Sequence, residues 1–177
     1  MTATTLRPYQ TEMVRQIFQE FERGEQNLLG VLPTGGGKTV VFCAIADRHN
    51  VGGTLIISHR REIVAQTCAK LNAIGMHYGV IQAGDDKKLR PLANVQVASI
   101  QTLHARAIRG DSMALPRADL IIIDEAHHAP ATIPTRKCWR SIPTPRCSAS
   151  QRRRAGEMAA VSAPSSLASW RDRRSPT

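Results

Sequence analysis

The seven residues from Pro33 to Thr39 read Pro-Thr-Gly-Gly-Gly-Lys-Thr, so that three glycines directly precede a lysine and a hydroxyl side chain. They follow an apolar run, residues 28–32, that predicts a strand, and they open residues 38–48, which predict a helix. Glycines let the backbone turn so that several N–H groups face one anion at the positive end of a helix dipole. The segment therefore predicts a phosphate-binding loop in which Lys38 reaches the β- and γ-phosphates of a nucleotide and the Thr39 hydroxyl binds Mg²⁺.

A second motif, Asp124-Glu125-Ala126-His127, directly follows the apolar run Leu120–Ile123. That run predicts a buried strand, and ligands bind at the carboxyl ends of parallel strands. We expect Asp124 to hold Mg²⁺ through water and Glu125 to orient and polarise an attacking water. Alone, the motif is also typical of a helix start at the surface, where the helix dipole favours acidic residues. Its position about 85 residues after the glycine-rich loop, behind a strand, favours the catalytic interpretation.

Strand patterns and helix patterns alternate along the first 129 residues. Strands are predicted at residues 28–32, 54–57, 78–82, 95–98 and 120–123, and helices near residues 8–21, 38–48 and 63–74. Such alternation predicts βαβ units, and the continuous aliphatic runs indicate strands that are buried on both faces. The predicted fold is therefore α/β, with a parallel sheet and helices on both of its faces.

The net charge of +10 lies almost entirely in the C-terminal part of the chain. Residues 1–130 contain 14 Lys or Arg and 12 Asp or Glu, a net charge of +2, whereas residues 131–177 contain 10 and 2, a net charge of +8. In the second segment 29 of 47 residues are Arg, Ser, Pro or Ala, without periodicity. We therefore predict a folded domain over residues 1–130 and a basic tail of low order over residues 131–177.

Other function classes find little support in the composition. No run of about 18 apolar residues predicts a membrane span, and residues 1–7 lack the apolar stretch of a secretion signal, so a cytoplasmic location is expected. The four cysteines are not at CxxC or zinc-finger spacing, which favours buried thiols. A metal role for the adjacent His127 and His128 is disfavoured, because neighbouring residues on a regular element point in different directions.

The first 129 residues resemble the first RecA-like domain of a DEAH-box superfamily 2 helicase, in the DNA-repair and type III restriction branch. Pro33–Thr39 resembles motif I in the form typical of this superfamily, which accounts for Leu32 at a position where the general phosphate-loop pattern has glycine. Residues 124–127 resemble motif II. The resemblance implies that ATP and Mg²⁺ are the cofactors. The residues expected to bind ATP in motif I are Thr34, Gly35, Gly36, Gly37, Lys38 and Thr39.

Three further segments carry the resemblance. Leu6–Gln10 resembles the adenine-recognition segment, in which Gln10 reads the base edge and Arg7 lies nearby. Ser58–Gln66 and Ala98–Leu103 resemble motifs Ia and Ib, which contact the nucleic-acid backbone independently of sequence. The resemblance implies that His127 couples nucleotide state to these contacts. The residues expected to contact nucleic acid, with DNA favoured over RNA, are Arg60, Arg61, Gln66, Ser99 and Thr102.

Simpler interpretations exist for some of these residues. Arg60 and Arg61 are also typical of solvated charges at a helix start. Ser99 is also typical of a helix N-cap, a role that a nucleic-acid contact does not exclude.

Helicases of this family hydrolyse ATP between two RecA-like domains, the second of which supplies an arginine finger. Residues 131–177 are too few for such a domain. We therefore expect the ATP-binding domain of an ATP-dependent helicase or translocase that is poorly active alone. The alternative is a non-hydrolysing nucleic-acid-binding or regulatory module with a basic tail. A regulatory module would borrow a second RecA-like domain in trans.

Motif III, expected shortly after motif II, is absent from the tail. Back-translation of residues 132–151 with GC-rich codons, read from the third base, yields HTDAQVLEIDPDAALLGVT, and allowed codons for residues 150–153 continue it with ATP. The resulting GVTATP resembles motif III. We therefore hypothesise a frameshift near residues 131–134, with an out-of-frame tail beyond it. An intact frame in the coding DNA, together with the tail in isolated protein, would contradict this hypothesis.

Overall fold

The computed structural model describes residues 5–25, 27–49, 52–109, 112–124 and 158–162. The helices in this part of the chain are α1 (Pro8–Glu22), α2 (Lys38–Arg48), α3 (Arg61–Ala73), a 3₁₀ turn (Asp86–Lys88), α4 (Ile100–Leu103) and a π-helical segment (His104–Arg109). The strands are β1 (Asn27–Val31), β2 (Thr54–Ser58), β3 (Tyr78–Ile81), β4 (Val95–Ser99), β5 (Leu120–Ile123) and β6 (Met158–Ser162). Of the helices in the described ranges, none is long and apolar enough to cross a membrane.

The six described strands form one sheet in the order β1-β6-β5-β2-β4-β3. Strand β2 pairs in parallel with β4 and β5, and β3 pairs in parallel with β4. Strand β6 lies antiparallel between β1 and β5. Because both of its pairings are antiparallel, β1 runs in the same direction as β5. The sheet is therefore parallel except for one strand, which confirms the predicted α/β fold with a parallel sheet.

Alternate residues of the central strands enter two separate apolar cores. Ile56 of β2 packs in the core beneath α1, α2 and α3, whereas its neighbours Leu55 and Ile57 pack in the core on the other face, with α4. All three side chains are fully buried, and burial of each contributes about 1.5–3 kcal/mol. The continuous aliphatic run at this strand thus reflects burial on both faces, as the sequence predicts.

Helix α1 is held against α2 on one face of the sheet. Val14, Phe18 and Phe21 are buried in the core on that face. The Arg48 guanidinium, in the last turn of α2, lies over the Phe18 ring at 4.5 Å from its centroid. A cation–π contact of this kind contributes about 0.5–1 kcal/mol when it is exposed. This packing brings the start of α1 close to the loop between β1 and α2.

One segment of residues 131–177 is described by the structure. Met158–Ser162 forms β6, a strand that the sequence analysis did not predict, and pairs over five residues with β1. The segment is Met-Ala-Ala-Val-Ser, and its backbone lies between β1 and β5 in the sheet. The domain boundary at residue 130 and the frameshift hypothesis stay predictions.

Candidate functional site

The glycine-rich loop between β1 and α2 needs each of its three glycines for a separate reason. Gly35 and Gly37 have φ angles of 77° and 76°, in the left-handed region where side chains with a Cβ are strained. A Cβ on Gly36 would lie 2.8 Å from the Pro33 carbonyl oxygen, which accepts the Gly36 N–H at 2.9 Å. The sequence Gly-Gly-Gly is therefore required by the conformation of this loop.

Helix α2 begins immediately after this loop, with Gly37 at its N-cap and no side-chain hydrogen bond to that cap. Lys38 and Thr39 form its first turn and are half-buried, and the Lys38 ammonium nitrogen itself is buried. The N–H groups of a helix's first turn have no acceptor within the helix and carry partial positive charge. A lysine, a hydroxyl and these N–H groups together can bind a phosphate group.

Gln10, in the first turn of α1, contacts the glycine-rich loop directly. Its side chain is buried, at 4% exposure, and its amide nitrogen donates to the Gly36 carbonyl oxygen at 3.0 Å. Its amide oxygen accepts the Arg7 backbone N–H at 2.9 Å. Each of its polar atoms thus already has a partner within the protein. That Gln10 also reads a base edge stays a prediction.

Tyr9 is a site residue that the sequence analysis did not identify. Its hydroxyl donates to the same Gly36 carbonyl oxygen at 3.0 Å and accepts from the Arg7 guanidinium at 3.4 Å. Arg7, expected near a bound base, thus lies next to Tyr9. Tyr9 and Gly36 are 27 positions apart in the sequence. No local sequence pattern identifies a contact over that separation.

Asp124 lies directly after β5, at the carboxyl edge of the sheet. Its backbone N–H donates to the Ile57 carbonyl at 2.9 Å, which extends the pairing of β5 with β2. Its carboxylate is buried, at 3% exposure, and accepts from the Ser58 hydroxyl at 3.4 Å. Ser58 was not among the predicted site residues. Glu125 and His127 lie outside the described residues, so their predicted roles stay predictions.

The residues expected to contact nucleic acid divide into two groups. Arg60 occupies the N-cap position of α3, Arg61 is its first residue and Gln66 lies in its second turn, and all three are exposed. The Arg61 guanidinium donates to the Ala83 carbonyl at 2.6 Å, so it already binds the loop after β3. Contact of these side chains with nucleic acid stays a prediction.

Ser99 and Thr102 form the second group and are buried, at 4% and 7% exposure. The Thr102 hydroxyl accepts the Ala83 backbone N–H at 3.0 Å. Ser99 occupies the N-cap position of α4, as anticipated, but its hydroxyl donates to the Gln101 side chain at 2.7 Å instead of capping the helix. In this structure both hydroxyls therefore connect loops within the protein, and their predicted contact with phosphate stays a prediction.

Neither described cysteine is suited to act as a nucleophile. Burial raises the pKa of the Cys43 thiol to about 12, and that side chain is 1% exposed. Burial also raises the pKa of the Cys68 thiol. Because the thiolate is the reactive form, both groups stay protonated near neutral pH. The chemistry of this region therefore rests on its lysine, hydroxyl and carboxylate groups.

Comparison with known proteins supports a common origin for most of the chain. The sequence model of the family described as "Type III restriction enzyme, res subunit" matches residues 3–152. The match extends 22 residues beyond the domain boundary that the sequence analysis predicts at residue 130. The chain is 34% identical over 140 residues to "Putative ATP-dependent helicase IRC3" of Saccharomyces cerevisiae, an alignment that covers 73% of this chain and 20% of that protein.

Two further relatives come from a bacterium and an archaeon. "Type I restriction enzyme EcoKI endonuclease subunit" of Escherichia coli is 28% identical over 138 residues, covering 72% of this chain and 12% of that protein. "Putative DNA 3'-5' helicase Rad25" of Halobacterium salinarum is 34% identical over 141 residues, covering 74% and 21%. The chain thus spans about a fifth of the length of these relatives, or less.

The loop conformation predicts that Gly37→Ala destabilises the protein more than Gly75→Ala. The two φ angles are nearly equal, at 76° and 72°, but a Cβ on Gly37 would overlap the Gln10 amide, whereas a Cβ on Gly75 meets open space. We expect Gly75→Ala to cost about 1–2 kcal/mol from its left-handed backbone, and Gly37→Ala to cost clearly more. Urea denaturation measures both free energies of unfolding. Equal losses would contradict the contact between Gln10 and the loop.

Proposed function

Because the chain belongs to the type III restriction enzyme, res subunit family, we propose that it is the ATP-binding domain of an ATP-dependent nucleic-acid helicase or translocase. The observation that carries this proposal is the loop from Gly35 to Gly37, in which two glycines have left-handed backbone conformations and the third leaves no room for a Cβ, followed by Lys38 and Thr39 at the start of α2. In this proposal ATP places its β- and γ-phosphates against these residues.

The residues present fit Mg²⁺ as a cofactor. Mg²⁺ binds hard oxygen ligands, commonly one or two protein groups together with water and phosphate oxygens. The Thr39 hydroxyl and the Asp124 carboxylate are such ligands, and the Ser58 hydroxyl hydrogen-bonds that carboxylate from the neighbouring strand. When bound, the ion would neutralise charge on the phosphates. Glu125 would orient the attacking water, and Lys38 would bind the phosphate oxygens on which negative charge develops.

We propose that the 177-residue chain turns ATP over slowly on its own. In related NTPases, an arginine finger contributes about 10³–10⁵ in rate, and in this family it is expected from a second RecA-like domain. The chain spans about a fifth of the length of its relatives. The rest of a longer protein, or a second RecA-like domain in trans, would supply the arginine finger.

DNA is the nucleic acid that we favour as partner. One of the relatives is named as a putative DNA 3'-5' helicase, and another as the endonuclease subunit of a type I restriction enzyme. Arg60 and Arg61 are exposed at the start of α3, where guanidinium groups can bind phosphates without reading the sequence. Contacts of this type would let a motor move along any strand.

A second candidate function rests on the charge of the tail. Residues 131–177 carry a net charge of +8 against +2 for the rest of the chain, and such a segment binds nucleic acid electrostatically. In this alternative the chain is a non-hydrolysing nucleic-acid-binding or regulatory module. The two candidates differ in which arginines bind DNA and in whether ATP changes that binding.

Replacing Lys38 by alanine is expected to weaken ATP binding by at least about tenfold, because a charge-assisted hydrogen bond contributes about 1.5–3 kcal/mol. Isothermal titration calorimetry measures the affinity, and circular dichroism checks that the domain stays folded. Lys70→Ala, an exposed lysine of α3, serves as the matched control. Unchanged ATP affinity in Lys38→Ala would refute the phosphate-loop assignment.

Replacing Asp124 by asparagine is expected to abolish the dependence of ATP binding on Mg²⁺, because the neutral amide is a poor ligand for a hard cation. The variant keeps the size of the buried side chain. Affinity for ATP is compared in the presence of Mg²⁺ and in the presence of EDTA. If the difference between the two conditions persists, Asp124 does not hold the ion.

The double variant Arg60→Ala, Arg61→Ala is expected to lower the salt dependence of single-stranded DNA binding. The slope of log affinity against log salt should fall by about 1.4, since each phosphate contact on a single strand contributes about 0.7. The comparison variant replaces Arg152, Arg153 and Arg154 by serine. If only that variant loses affinity, and ATP has no effect on binding, the tail-based alternative replaces the motor.

A further inference from the structure

The Gly36 carbonyl oxygen accepts two hydrogen bonds from the start of α1, one from the Tyr9 hydroxyl and one from the Gln10 amide, each at 3.0 Å. We infer that Tyr9 is a positioning residue for the phosphate loop: together with Gln10 it sets the direction of one N–H group toward the nucleotide phosphates. This inference rests on the proposed nucleotide-binding function. It assigns to the Tyr9 hydroxyl a role that is independent of base recognition.

Arg7 determines which atoms of Gln10 and Tyr9 face the Gly36 carbonyl oxygen. The Gln10 amide oxygen accepts the Arg7 backbone N–H, so the amide nitrogen must be the atom that faces the Gly36 carbonyl. The Arg7 guanidinium has only donors, so the Tyr9 oxygen accepts from it and the Tyr9 proton points toward Gly36. Both donors are thus oriented before any ligand binds.

The consequence for the loop follows from the planarity of the peptide bond. The described chain contains no cis peptide bond, and in a trans peptide the carbonyl and the following N–H point in opposite directions. Because the Gly36 carbonyl is held toward α1, the Gly37 N–H must point away from α1. Gly37 is the N-cap of α2, so this N–H lies at the positive end of the helix beside Lys38.

The packing at Gly37 supports the same arrangement. A Cβ there would overlap the Gln10 amide nitrogen, so the glutamine side chain lies directly against the backbone of the loop. Gly36 is held from the other direction by its N–H bond to the Pro33 carbonyl at 2.9 Å. That N–H belongs to the preceding peptide, and the Gly37 carbonyl in the following peptide accepts the N–H groups of Val40 and Val41 at 3.0 and 3.2 Å. The peptide between Gly36 and Gly37 is therefore held through its own carbonyl and is flanked by two peptides that are also hydrogen-bonded.

A positioning role and a base-reading role predict different losses. If Tyr9 acts on the phosphate loop, its hydroxyl contributes to the binding of any polyphosphate, with or without a base. If it acts on the base, the hydroxyl contributes to the preference for ATP over GTP. Because the Tyr9 proton is donated to Gly36 in this structure, the first alternative is the one that the geometry supports.

The test is Tyr9→Phe in the full 177-residue chain, with Tyr78→Phe as the matched control. Tyr78 is the other tyrosine of the chain and lies on β3, at the opposite edge of the sheet from β1. ATP, GTP and inorganic tripolyphosphate each compete with a fluorescent ADP analogue for the protein. The same competition with Lys38→Ala measures how much of this binding occurs outside the loop. We expect Tyr9→Phe to bind ATP and tripolyphosphate about 3- to 10-fold more weakly, by the same factor, with an unchanged ratio of ATP to GTP affinity.

A changed ATP to GTP ratio, or a loss for ATP without a loss for tripolyphosphate, would overturn the inference in favour of base recognition. Unchanged affinities in Tyr9→Phe would also overturn it. Gln10→Glu provides a second variant, since it retains an oxygen for the Arg7 N–H but places an oxygen against the Gly36 carbonyl, and it should lower tripolyphosphate affinity further. If the wild-type chain binds no nucleotide, the proposed function fails, an outcome distinct from failure of the Tyr9 role.

Discussion

The peptide that joins Gly36 to Gly37 constrains the rest of the site. Its carbonyl is bound by two side chains of α1, and its N–H begins α2. The position of α1 therefore bears on the geometry of a loop 26 residues away. Burial of Phe18 and its contact with Arg48 hold α1 against α2, so apolar packing on one face of the sheet supports the polar contacts at its edge.

A second set of contacts connects the loops at the carboxyl edge of the sheet. The backbone of Ala83 binds Arg61 through its carbonyl and Thr102 through its N–H. The Gln101 side chain donates to the His59 carbonyl at 3.1 Å. Segments that follow β2, β3 and β4 are thus joined to one another by hydrogen bonds. Movement of any one of these segments relative to the others requires that at least one of these bonds break, so the loops at this edge form one connected surface.

Local sequence patterns predicted most of the helices and strands, but they did not predict the contact between Tyr9 and Gly36 or the strand β6. The bounds of α2 agree with the prediction because Gly37 and Lys38 mark its start, and the strands were evident from their aliphatic runs. The α/β fold and the helicase family are confirmed. The contact between Tyr9 and Gly36 was missed, because a hydrogen bond over 27 positions leaves no periodic signal. The strand β6 was missed because its five residues lie in a segment rich in Arg, Ser, Pro and Ala.

The place of β6 in the sheet has a consequence for how the protein opens. Among the described strands, β1 pairs only with β6, so the backbone hydrogen bonds that join β1 to the rest of the sheet pass through one antiparallel strand. An antiparallel strand can leave or enter a sheet without a crossover helix. If β6 detaches, the amide protons of β1 lose their protection from exchange with solvent, while those of β2 and β4 keep theirs. The strand that leads into the glycine-rich loop and the strand from the tail would thus open as one cooperative unit, separate from the parallel core.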